Sequence, residues 1–322
     1  MSLRSTTFSN PVTIAALVAL AALLAYVFGS GGYLLTVLGF AAIYGIFCTG
    51  LNFFMGYTGQ ASFGQNAFAA LGGYGTAILT AGHGWEPLIA LVASMVFSGV
   101  VALVVGYPTL RLRGHYLAMA TFALGLITYE LSVELAGLTK GYTGYSGIPP
   151  LGVGKLQLAT DEQQLVALIV VLLIGVWIAN RLKESRFGRA LRAIAGSEQA
   201  ARALGVNVAR YKLAAFVIAA VYASVAGSLF AHFVGFISPE VFGLSMVILS
   251  FTMLYLGGIG TIWGPVVGAI IVSLLPELFR GLKELQDLAF CSVLILVLIF
   301  APRGLAALPE IFARRRANRS PP

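Results

Sequence analysis

Charged side chains are scarce in this sequence, and what stands in their place is mostly apolar. They make up 10% of 322 residues against 59% hydrophobic ones, more than a water-soluble domain of this size needs to fill one core. Cysteine is almost lacking: Cys48 and Cys291 both lie in apolar runs, as buried small hydrophobes do. Histidine is equally thin. His83, His115 and His232 stand apart from one another and from the cysteines, so no metal-ligand spacing exists and no cofactor is expected. The sequence has no Gly-x-Ser-x-Gly elbow and no acid pair flanking a base, which argues against hydrolytic chemistry and against an enzyme. A phosphate-cradling loop is missing too. Its nearest approach, Gly154-Lys155, has Leu156 where Ser or Thr would hold magnesium and Pro149 at the first glycine position. Any nucleotide hydrolysis must therefore come from another polypeptide.

What is present is a series of long apolar runs. Helical spans need about 20 apolar residues each, and candidates fall near 11–28, 33–55, 62–81, 87–107, 116–137, 163–180, 213–234, 242–257, 264–279 and 288–302. Lys and Arg resist translocation and collect in cytoplasmic loops. With ten spans and the N-terminus inside, the inner side receives Arg4, Arg111, Arg113, the eight cations of 181–212, Arg303, Arg314, Arg315, Arg316 and Arg319, sixteen in all. The outer side receives Lys140, Lys155, Arg280 and Lys283. The fold class expected is all-α: a polytopic membrane bundle of about ten helices, 1–322 forming a single transmembrane domain with both termini cytoplasmic. The outer segment Thr139–Pro150, dense in Gly and Pro, reads as turns.

The 181–212 stretch carries eight Lys/Arg against Glu184 and Glu198. Its charge lies beside membrane spans, where anionic lipid and topogenesis account for it, and no nucleic-acid partner is expected. Within it, Gly188 to Gly205 is rich in helix formers and reads as one short helix between two glycines. Tied at both ends to spans, it reads as a docking surface.

Small residues recur every fourth position at Ala215, Ala219, Ala223, Gly227 and Ala231, and again at Gly260, Gly264 and Gly268. Such stripes let helices approach closely in lipid, and helix packing is the expected role. Gly56–Gly64 and Gly257–Gly264 share a glycine rhythm, compatible with an internal two-fold repeat. The interval from Asn52 to Tyr74 is the richest in polar side chains at membrane depth, among them Asn52, Gln60, Ser62, Gln65 and Asn66. Clustered glycines beside them permit irregular backbone, and a broken helix facing a translocation path is expected, with interhelical hydrogen bonding as the equal alternative. Glu130, the deepest acid of the fifth span, is the candidate for contact with an ammonium group.

Four motifs in order resemble a known family. Gly56-Tyr-Thr-Gly-Gln-Ala-Ser-Phe-Gly64 with Ala67, Phe68, Gly72 and Tyr74, then Arg111, Arg113-Gly114 and Tyr116, then Gly188-Arg189-Ala-Leu through Tyr211-Lys-Leu213, then Gly257 to Ala269 are similar to the permeases of bacterial high-affinity branched-chain amino acid ABC importers, the LivM type. The resemblance implies that 181–212 is a coupling loop that fits a cleft on an ATPase, with Gly188, Arg189, Glu198, Ala200, Ala201 and Gly205 as coupling residues. It implies as partners a second homologous permease, two cytoplasmic ATPase subunits and a periplasmic solute-binding protein, in a bacterial inner membrane. Gln65 stands where the family has His, and Asn66 where a small residue is usual. Related importers carry urea, short amides or aromatic acids, so the branched-chain solute is the default.

The topology has a direct check. With Cys48 and Cys291 replaced by serine, a cysteine at Ser197 should react with a membrane-impermeant thiol reagent only in inverted vesicles, and one at Thr143 only in spheroplasts.

Overall fold

The computed structural model describes residues 32–153, 156–158 and 160–278, with Ser292 and Ile295. The expected span 11–28 lies outside the described residues, as does 288–302 apart from Ser292 and Ile295. Eleven helices run α1 (Gly32–Thr58), α2 (Gln65–Ala77), α3 (Pro87–Thr109), α4 (His115–Glu134), α5 (Ala136–Thr139), α6 (Asp161–Glu184), α7 (Arg186–Gly196), α8 (Glu198–Ala203), α9 (Val208–Val234), α10 (Leu244–Gly257) and α11 (Gly264–Leu278) among the described residues. Six of the helical segments are long and apolar enough to cross a membrane. The 27 residues of α1 and of α9 each reach about 40 Å at 1.5 Å per residue, enough for the hydrocarbon core with some tilt. The protein is an all-α polytopic membrane bundle.

Burial divides the helices into a centre and a rim. In their most apolar windows α1 is 72% buried and α9 61%, whereas α4 is 22% and α6 28%. The rim helices turn apolar stripes outward, such as Val96, Val100 and Val104 on α3 and Val166, Val170 and Ile174 on α6. Lipid tails can cover these stripes; water would not.

At the centre, α9 packs against α1, α2 and α3. Its stripe Ala215, Ala219, Ala223 and Ala231 is fully buried, and a Cβ on Gly227 would stand 2.0 Å from the Ala69 carbonyl oxygen. The reciprocal contact is Gly72, whose Cβ would meet the Ser224 carbonyl at 2.1 Å. Hydroxyls fill the same seam: Thr76 Oγ1 donates to Ser228 Oγ at 2.8 Å, and Ser228 Oγ donates to the Gly72 carbonyl at 3.0 Å. A second close contact joins α10 and α11, where a Cβ on Gly268 would lie 1.8 Å from the Met253 carbonyl.

The expected span 62–81 begins late. Residues 59–64 are irregular, α2 starts at Gln65, and a π-helical turn, Ile78–Gly82, extends it. Gly59 allows the break by taking φ +68°. The 138–162 segment also holds more than turns. Strand β1 (Tyr145–Ser146) pairs antiparallel with β4 (Phe236–Ile237) after α9, and β2 (Gly152–Val153) pairs with β3 (Leu156–Gln157). His232 Nδ1 lies 2.7 Å from the Pro149 carbonyl, tying the segment to α9. At the opposite end, Arg111 lies over the Tyr107 ring at 4.7 Å and Arg181 over the Trp177 ring at 5.5 Å.

Gly227→Ala should lower the melting temperature in detergent, because overpacking a tight seam costs about 1–3 kcal/mol or more. Gly137→Ala, whose added Cβ meets nothing within 4 Å, should leave it in place.

Candidate functional site

The basic segment folds as two helices rather than the single one expected from Gly188 to Gly205. Ser197 interrupts them: its hydroxyl accepts from the Ala200 N–H at 3.2 Å and starts α8 anew. Ser185 caps α7 through the N–H groups of Phe187 and Gly188, and Asn207 caps α9 through Arg210 N–H. Side-chain caps of this type contribute about 1 kcal/mol each. The loop proper is thus 185–207, since α6 runs to Glu184 and α9 starts at Val208.

Gly188 is not a helix start but a contact point. It is buried inside α7, and a Cβ there would lie 2.2 Å from the Lys183 carbonyl at the end of α6. Leu191 and Ile194, three residues apart, bury the same face, while Arg189 and Arg192 point away. Aromatic rings continue the base: Tyr57 meets Phe53 edge-on at 5.3 Å, Phe53 stacks on Phe187 at 5.9 Å, and Phe187 stacks on Tyr211 at 5.6 Å. This ladder fastens α7 to the end of α1 and the start of α9. The far face is open. Ala200 and Gly205 are exposed, Ala201 is buried, and Leu204 is 82% exposed. Gly205 has φ +82° with open space around it, so glycine there serves the turn rather than a close approach.

Glu198 turns inward instead of toward that face. Its Oε1 accepts from Gln60 Nε2 at 3.2 Å and from Lys212 Nζ, while its Oε2 lies 3.7 Å from Arg202. Lys212 is only 3% exposed and is a site residue the sequence reading passed over. Its place before a long apolar run read as topological charge.

The polar residues of the break serve different ends. Asn52 reaches the late glycine motif: its Oδ1 accepts from Gly260 N–H and its Nδ2 donates to the Thr261 carbonyl, both at 2.7 Å. Gly56 makes room, since a Cβ there would lie 2.2 Å from Asn52 Oδ1. The two segments with similar glycine rhythm therefore touch. Gln60 belongs to the Glu198 contact. Asn66 Nδ2 donates to the Phe242 carbonyl at 2.8 Å, ordering the turn before α10. Ser62 Oγ, both amide atoms of Gln65 and Asn66 Oδ1 are buried without a hydrogen-bond partner among the described residues. The hydroxyls of Tyr57 and Tyr74 are in the same condition, and buried polar atoms of this kind call for a partner such as water. Glu130 lies elsewhere, exposed on α4. Phe63 in the break stacks on Phe251 at 4.5 Å and, with Met119, Phe122, Val247, Ile248 and others, lines an apolar groove of about 500 Å³ between α4 and α10. Gly264 and Gly268 stand in the α10–α11 contact.

The described residues form a bundle of membrane helices with an irregular, polar connection between α1 and α2 and a structured loop at its basic end. Residues 33–302 match the family described as branched-chain amino acid transport system, permease component, and the chain belongs to that family. It is 32% identical over 287 residues to the LivM permease protein of the Escherichia coli K12 high-affinity branched-chain amino acid transport system, covering 82% of this chain and 67% of the relative. The corresponding Salmonella typhimurium LivM gives the same figures. The Escherichia coli K12 LivH permease is 28% identical over 300 residues, 87% of this chain and 92% of LivH. The chain is a multi-pass membrane permease subunit.

Asn52→Ala leaves the Gly260 N–H and the Thr261 carbonyl without partners at a cost of about 1–3 kcal/mol. Chemical denaturation in detergent should therefore show a lower midpoint, with the far-ultraviolet helix signal intact below the transition.

Proposed function

We propose that this chain is one of two membrane subunits of an ATP-driven importer, carrying branched-chain or related amino acids inward across the bacterial inner membrane. A second homologous permease completes the channel, two cytoplasmic ATPase subunits dock on the 185–207 loop, and a periplasmic solute-binding protein delivers the solute. The relatives' printed roles in high-affinity branched-chain amino acid transport support the solute class. The observation that carries the reading is a loop braced at its base and open on its far face, in a chain with no phosphate loop of its own.

The mechanism follows from that bracing. ATP-driven closure of the ATPases moves α7 and α8, with Gly188, Arg189, Glu198, Ala200, Ala201 and Gly205 as the coupling residues. Leu204 and the small exposed Ala200 form the part that seats in a cleft, since one large apolar side chain among small ones gives a shaped anchor. Motion of the braced loop biases the bundle between two access states, and the ATPases do work only through their differential affinity for those states. Ser62, Gln65 and Asn66 offer the solute hydroxyl and amide groups along its path, and Gly227, Gly260, Gly264 and Gly268 hold the helices against which that path moves.

Reconstituted with its companion permease, both ATPases and the binding protein, the complex should take up leucine only with ATP on the ATPase side. Leu204→Asp should weaken ATPase co-purification by about tenfold, as loss of one interface anchor does. Uptake by this chain alone in liposomes would overturn the reading.

A further inference from the structure

We propose that Lys212 is a positioning residue of the transmission, holding the Glu198 carboxylate inward so that Gln60 and the helix break move with the coupling loop. This rests on the importer reading given above. One carboxylate oxygen, Oε1, accepts from both Lys212 Nζ and Gln60 Nε2, while the other faces Arg202 on the exposed side. Arg202 is half exposed, with 52% of its side chain open to solvent, against 3% for Lys212. A surface ion pair contributes little, so Arg202 does not fix the carboxylate, and without Lys212 it is free to swing out toward Arg202 and solvent.

The inward direction matters because of what Gln60 leads to. Gln60 stands in the 59–64 break, three residues before Phe63. Phe63 donates its N–H to Thr121 Oγ1 on α4 at 3.1 Å and stacks face to face on Phe251 of α10, at 4.5 Å and 6°. Gly64 next to it permits no slack, since a Cβ there would lie 2.2 Å from the Thr121 carbonyl. A displacement of Glu198 is thus delivered to α4 and α10, the two helices that flank the apolar groove. The aromatic ladder runs a separate course, from Tyr211 and Phe187 to Phe53 and Tyr57 on α1. It locks the loop to the rigid centre, and Glu198 is the loop side chain that hydrogen-bonds the break, near where Ala195 faces Gly59.

Stability alone does not call for the pair. Replacing a buried ion pair by apolar residues of similar volume is often neutral or stabilising, whereas removing one partner leaves an uncompensated charge. That contrast supplies the test. Glu198→Leu combined with Lys212→Met removes the link without stranding a charge, and Gln60→Ala removes it from the other side.

In the reconstituted complex, both variants should co-purify with the ATPases, while leucine uptake per ATP hydrolysed falls about tenfold, the size of an ordinary coupling free energy. Combining them should cost no more than either, because they interrupt one link. Wild-type uptake per ATP in either variant would overturn the proposal and leave the importer reading standing. Should the apolar pair fail to assemble, Gln60→Ala decides by the same measure. A wild-type complex without binding-protein-stimulated ATPase would instead count against the importer reading itself.

Discussion

Direct contact between helix backbones is the constraint on which this bundle depends. Lipid tails are as apolar as leucine, so helices in a membrane gain nothing by hiding apolar surface from them and associate through close packing and polar contacts. Here the closest approaches are α9 on α2, through Gly227 against Ala69 and Gly72 against Ser224, and α11 on α10, through Gly268 against Met253. Bulk at any of these points would separate whole helices. The hydroxyls of Thr76 and Ser228 fit the same seam, and that of Ser224 the neighbouring contact with Ser94 of α3, because only short side chains leave room there.

With the centre fixed this way, irregular backbone is tolerated beside it. The 59–64 segment has few backbone partners of its own, and the surrounding helices support it: Thr121 lends a side chain and Phe251 a ring face. The 185–207 loop is built on the opposite principle. Its helices are too short to hold themselves, and two serine caps with an apolar underside keep them formed. One element is ordered by its neighbours and the other carries its own order, and Glu198 joins them.

Much of the architecture was legible from residue order. Apolar runs are a local signal, so eight of the ten expected spans fall on described helices, six of them long and apolar enough to cross a membrane. The stripe on α9 was legible because a four-residue period is a property of one helix. Long-range choices were not. Asn52 selects Thr261, 209 residues away, and Gln60 selects Glu198 at 138; neither choice leaves a periodic trace. Ser197 could have sat inside a helix, and only its cap geometry shows that it divides α7 from α8. Lys212 was masked by its position, since a cation at the foot of an apolar helix reads as topology whether its ammonium is buried or free. Glu130 was read from depth along one helix, which says nothing of which way the side chain faces.

The two guanidinium–ring pairs, Arg111 over Tyr107 and Arg181 over Trp177, stand at the feet of rim helices on the same end as the 185–207 loop. Amphipathic rings prefer headgroup level, and a cation stacked on one keeps both there. They act as floats that set the immersion depth of α3 and α6.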